Sequence, residues 1–157
     1  MLPILDIIER GADSMDAKAL IEEALNARTM AYIPYSNWAV GAALLTKDGK
    51  IYKGCNIENA SYTPTNCAER TAFFKAVSEG EREFAAIAIV GGKGGEKPST
   101  YCGPCGVCRQ VMMEFCNPKT FKIYVAISED DYKEFTLEEM LPLGFGPANL
   151  DKQTNYN

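Results

Sequence analysis

No histidine occurs anywhere in the 157 residues, and only one tryptophan does. A chain without imidazole lacks the side chain that most often moves protons near neutral pH, so acid–base work passes to a carboxylate. Clusters of lysine or arginine are missing too, and the balance is acidic: 16 basic against 21 acidic residues, a net charge of −5. A nucleic-acid backbone or an anionic membrane calls for such a cluster, so neither is expected as a partner, and a neutral small molecule is favoured over a phosphorylated one. No apolar run approaches membrane length and no secretory signal is legible, which leads to the expectation of a cytoplasmic protein. The glycine run Gly91-Gly92-Lys93-Gly94-Gly95 has no Lys-Ser/Thr pair at the head of a helix. It therefore fails as a phosphate loop and is expected to be a flexible surface loop.

What remains is an ordinary globular composition, 46% apolar and 24% charged. At this length one domain can bury ~70% of its unfolded surface. A single domain over 1–157 is expected, with its core at about 16–150 and a polar tail over 151–157. Apolar residues at helical spacing (Ala17, Leu20, Ile21, Ala24, Leu25) predict a helix from about Asp16 to Tyr32. Before it, Leu2, Ile4, Leu5, Ile7 and Ile8 are interrupted by Pro3 and Gly11, a short helix or a docking extension. Trp38 to Thr46 lacks polar alternation and reads as a strand buried on both faces. Asp48-Gly49 then predicts a hairpin returning through Ile51, Tyr52 and Cys55. Phe84 to Val90 and Phe121 to Ile127 are further strands, and Leu137 to Leu141 a short helix. With helices between the later strands, the expected fold class is α/β, a three-layer α/β/α sandwich with a mixed central sheet.

The chemistry concentrates in two segments. In Thr63-Pro64-Thr65-Asn66-Cys67-Ala68-Glu69-Arg70, Asn66 is the expected N-cap of a helix that stops at Gly80. In Tyr101-Cys102-Gly103-Pro104-Cys105-Gly106-Val107-Cys108-Arg109-Gln110, Gly103-Pro104 is expected to open another. Cysteines at the positive ends of two helices have lowered thiol pKa values. Cys105 and Cys108, three apart, share a helix face, and Cys67 can add a third sulfur. That set suits a catalytic zinc ion with an open fourth position for water. Glu69, two residues past Cys67, is placed to carry protons, and Arg70 to donate to the sulfurs and drain their charge. Two other readings stand beside this one. Cys102 would close the site as a fourth ligand, and the Cys-x-x-Cys-x-x-Cys run also opens a ferredoxin pattern, although methionines stand at 112 and 113. Cys102 is otherwise a bystander, and Cys55 and Cys116 are small buried hydrophobes.

Cys67-Ala68-Glu69-Arg70 together with Pro104-Cys105-Gly106-Val107-Cys108-Arg109-Gln110 resembles the signature of the cytidine deaminases, and the likeness runs from the first helix to Phe145-Gly146-Pro147. The resemblance implies one Zn²⁺ per subunit on Cys67, Cys105 and Cys108, with Glu69 as the acid–base residue that does not bind it. It implies hydrolysis of cytidine and 2′-deoxycytidine to uridine and 2′-deoxyuridine in pyrimidine salvage. Asn56 and Glu58, two apart on an extended segment and so on one face, correspond to a pair that holds the ribose 3′-hydroxyl. Trp38 stands where the family usually packs a phenylalanine on the pyrimidine. Ala60, Tyr62 and Ala68 fall at positions near sugar and base, and Gly103 offers a backbone carbonyl to the amino group. Phe145 matches an aromatic that reaches into a neighbouring subunit, implying a homotetramer with shared sites. A deaminase of a cytosine-containing antibiotic, or a non-catalytic metal or redox module, are the rival readings.

Overall fold

The computed structural model describes residues 17–154. The apolar segment at 2–8, the start of the first helix and the last three residues lie outside the described residues. The chain forms α1 (17–28), β1 (Trp38–Thr46), β2 (Ile51–Cys55), α2 (Ala68–Ser78), β3 (Phe84–Lys93), α3 (Gly106–Phe115), β4 (Lys122–Ser128), β5 (Asp131–Thr136) and α4 (Leu137–Met140), with a 3₁₀ turn at Pro147–Leu150. The five strands lie in the order β2-β1-β3-β4-β5. β1 is antiparallel to both β2 and β3, β3 runs parallel to β4 with α3 as the crossover, and β5 returns antiparallel on the far edge.

Strand periodicity divides the core in two, because alternate side chains leave opposite faces. Leu44, Ile87, Ile89, Ile123 and Val125 pack under α2 and α3 with Phe73, Met112 and Phe121. Their neighbours Ala43, Ala86, Ala88, Tyr124 and Ala126 face α1 through Leu20, Ile21 and Ala24. The result is the three-layer α/β/α sandwich with a mixed sheet.

α2 lies directly on β2. A Cβ added at Gly54 would come to 2.2 Å from the Ala68 carbonyl oxygen and 2.5 Å from the Ala72 nitrogen, both backbone atoms. The absent side chain therefore sets the height of the first turn of α2 above the sheet, and that turn carries Glu69. Gly54→Ala is expected to destabilise the protein by about 1–3 kcal/mol, the cost of overpacking a tight core, and to lower activity by displacing the turn. Denaturant unfolding alongside an activity assay checks both; a neutral variant would show that the turn is free to move.

Several local expectations change. β5, with the sequence Asp-Tyr-Lys-Glu-Phe-Thr, was not anticipated: it pairs on one side only, so its polar residues stay exposed and carry no apolar signature. Gly91, Gly92 and Lys93 belong to β3 and pair with Val40, Ala39 and Trp38, so only the end of the glycine run forms a turn. Glycine is required there: a Cβ at Gly91 would stand 2.5 Å from the Cys102 sulfur. Cys116 is fully buried, whereas Cys55 is half-buried with its thiol 3.4 Å from the Met30 carbonyl oxygen.

Candidate active site

The starts of α2 and α3 converge beyond the end of β3 that pairs with Trp38. The N-cap of α2 is Cys67 itself (φ −72°, ψ 156°), not Asn66, whose amide donates to the Thr71 hydroxyl at 3.1 Å. The N-cap of α3 is Cys105, not the Gly103-Pro104 pair, and its sulfur accepts the Cys108 N–H at 3.4 Å. At α3 sulfur therefore takes the capping role that oxygen usually fills, whereas the Cys67 sulfur makes no capping hydrogen bond at α2. Arg109 locks the approach to α3, its Nε donating to the Pro104 carbonyl at 2.9 Å and its other end to the Met140 carbonyl at 2.7 Å. Gln110 ties α3 to the Phe145 carbonyl at 2.9 Å.

Three sulfurs meet as a result. Cys67 and Cys105 are 3.8 Å apart, Cys105 and Cys108 3.4 Å, and all three lie within 4.8 Å of one another. Four-coordinate zinc with Zn–S bonds near 2.3 Å sets its sulfurs about 3.8 Å apart, so the triad fits the ion. Sharing a proton with Cys67, together with burial, pushes the Cys108 thiol up, whereas Cys67 is pushed down by that sharing and by Arg70. A soft divalent cation takes the place of such a shared proton. Arg70 donates to the Cys67 sulfur at 3.4 Å, while its buried Nε has no partner among the described residues. Cys102 does not join the triad; burial raises its thiol pKa, and it lies beside the Trp38 indole.

Glu69 occupies the inner face of α2. With Ala72, Phe73 and Ala76 it forms the i, i+3, i+4, i+7 stripe that faces the sheet, and it is 4% exposed. Burial is the main reason its pKa rises to about 7; the neighbouring Cys67 charge raises it further, and Arg70 acts the other way. A carboxyl with that pKa takes up and releases protons at neutral pH.

Glu69, Cys67 and Cys105 line a cavity of about 220 Å³ with Trp38, Val40, Asn56 and Ala68. Trp38 is 41% exposed at its mouth. A second hollow of about 320 Å³ is lined by Tyr35, Ser36, Glu58, Tyr62 and Thr65, and Thr65 borders both. Asn56 and Glu58 thus lie on neighbouring hollows, each already engaged. Asn56 donates to the Trp38 carbonyl at 2.8 Å and accepts the Val40 N–H at 2.9 Å. Glu58 accepts the N–H groups of Tyr35 and Ser36 at 2.9 and 3.2 Å and a hydrogen bond from the Ser36 hydroxyl, which holds its carboxyl below the usual carboxylate range. Tyr62, at φ 61°, is 70% exposed against the edge of Tyr35. Ala60 is exposed and Phe145 is 58% exposed, and neither lines either hollow. Sequence reading missed Tyr35, Ser36, Val40 and Thr65. Only Thr65, inside the quoted Thr63–Arg70 segment, carried a positional signal.

Fold and site define an α/β enzyme with a three-sulfur metal-competent centre and a buried, near-neutral carboxyl beside one cavity. Residues 14–125 match the family described as the cytidine and deoxycytidylate deaminase zinc-binding region. A cytidine deaminase of Sporosarcina psychrophila is 51% identical over 87% of this chain and 96% of its own length. One from Halalkalibacterium halodurans is 53% identical over 87% and 99%. The crystal structure of the cytidine deaminase from Burkholderia pseudomallei superposes with a TM-score of 0.73 at 50% identity, over 81% of this chain and 97% of that one. The chain belongs to the cytidine deaminase family of hydrolases. Among the described residues, no helix is long and apolar enough to cross a membrane.

Proposed function

We propose that the protein catalyses zinc-dependent hydrolysis of cytidine and 2′-deoxycytidine to the uridine products and ammonia, in pyrimidine salvage. The observation that carries this is a triad of sulfurs, two of which line one cavity together with a buried, near-neutral carboxyl and a tryptophan. Cys67, Cys105 and Cys108 would hold one zinc ion per subunit, and Arg70 would offset part of the charge of three thiolates. A bound zinc ion supplies the Lewis acidity that makes water nucleophilic near neutral pH.

In this reading the pyrimidine enters between Trp38 and the start of α2, with Ala68 at its edge and the Gly103 carbonyl facing its amino group. Glu69 takes a proton from the attacking water and passes it to ring N3. It then carries the second proton to the departing amino nitrogen, so that one water is consumed and one ammonia released. The sugar lies over the second hollow, its 3′-hydroxyl reaching Asn56 and Glu58, with Ala60 and Tyr62 flanking it. Phe145, exposed in the single chain, serves a neighbouring copy in a homotetramer. The reading takes the whole chain as one domain acting in the cytoplasm.

Incubation of the zinc-loaded protein with cytidine, followed by loss of absorbance in the cytidine ultraviolet band, tests the function. Turnover with about one zinc per chain is expected. Turnover of blasticidin alone, or zinc binding without turnover of cytidine, would overturn it.

A further inference from the structure

The backbone of Trp38 is held on both sides by side chains. Its carbonyl accepts the Asn56 amide at 2.8 Å. Its N–H donates to the Ser36 hydroxyl oxygen at 3.0 Å, and that same hydroxyl donates to the Glu58 carboxylate. Ser36 is therefore a relay, accepting from the residue at the cavity mouth and donating to a carboxylate anchored by two further N–H groups. Between them Asn37 sits in the left-handed region at φ 53°, which asparagine tolerates better than other residues with a side chain. Asn37 donates to the Ile33 carbonyl at 3.2 Å and accepts from Gly94 at 2.9 Å, so both of its backbone polar groups are fixed. The Tyr35 and Ser36 N–H groups also tie this turn to Glu58, but the Ser36 hydroxyl is the side-chain group that bridges Glu58 to the Trp38 N–H.

We propose that Ser36 is a positioning residue for the base pocket: by bridging Glu58 to the Trp38 N–H it fixes where the indole stands in the cavity, and so sets the affinity for the pyrimidine. This rests on the reading that the cavity receives the base against Trp38. It also gives Glu58 a second task, one that does not involve the sugar. A direct contact between Ser36 and the sugar is the competing account, since Ser36 lines the second hollow as well.

Ser36→Ala removes both hydrogen bonds at an exposed position, so the fold should survive, and Ser36→Thr keeps the hydroxyl. The loss of one to two hydrogen bonds predicts a rise in KM for cytidine of about 2- to 10-fold, with a smaller change in kcat. The same factor is expected for 2′,3′-dideoxycytidine, which keeps the base and lacks the 3′-hydroxyl. Trp38 is the sole tryptophan, so its emission in the ligand-free protein reports its surroundings directly. Emission should shift in Ser36→Ala and return in Ser36→Thr, with the thermal midpoint unchanged. Unchanged emission, unchanged KM, or a penalty confined to cytidine would each overturn the proposal. A wild-type protein without turnover would defeat the functional reading instead, and the emission series would still decide whether Ser36 holds Trp38.

Discussion

Glu69→Gln is expected to lower cytidine turnover by at least ~10²–10⁴-fold while zinc content and fold are retained. The substitution keeps the shape of the side chain on the buried stripe of α2 and removes only its ability to exchange a proton. In the proposed mechanism Glu69 accepts a proton twice and delivers a proton twice within one turnover, so no step is spared. Its environment suits it to that work: burial raises its pKa to about 7, close to the pH at which both directions of transfer are needed. The amide also carries no charge to desolvate, so the folded state should lose nothing. Steady-state rates and metal analysis on the same preparation separate chemistry from binding. Near-normal turnover would remove Glu69 from the mechanism, and loss of zinc would make it a ligand.

Cys105→Ser should cost as much activity by a different route. Cys105 caps α3 through its sulfur and belongs to the triad. Serine is a good N-cap, so the helix start survives, but a neutral hydroxyl is a poor zinc ligand beside thiolates. Zinc affinity should fall by more than the roughly 10–100-fold that disturbing a ligand's hydrogen-bond partner causes, and turnover should follow it. Competition with a chromophoric chelator measures the affinity. Helical content from circular dichroism should stay at the level of the parent. Retention of full zinc by this variant would contradict the ligand assignment.

The parts of the fold legible in the sequence were those where burial writes itself into composition. Trp38–Thr46 is apolar because both faces of β1 are covered, by α1 below and α2 above, and its bounds could be read directly. The Asp48-Gly49 turn was legible because Gly49 takes φ 91°. β5 was not, since an edge strand shares one ladder and stays largely wet. β3 runs past Val90 because glycine, which reads as a breaker, is demanded there by the closeness of Cys102. Both helix starts fell one or two residues later than expected, since Cys67 and Cys105 cap them and cysteine is not a usual cap.

At the site, the residue types and spacing pointed to the thiol triad and Glu69 before any coordinates did. What spacing could not convey was occupancy. Asn56 and Glu58 line neighbouring hollows, and their polar atoms are already committed to the backbone of 35–40. Nor could it reveal Tyr35 and Ser36, which reach the second hollow by the way the chain folds back and belong to no motif.

X-ray absorption at the zinc edge of the loaded protein tests the central claim most directly. Three sulfur neighbours at ~2.3 Å and a single oxygen or nitrogen neighbour are expected, the pattern of a centre with one position left for chemistry. Four sulfur neighbours would mean that Cys102 or another thiol closes the site, and would contradict the account.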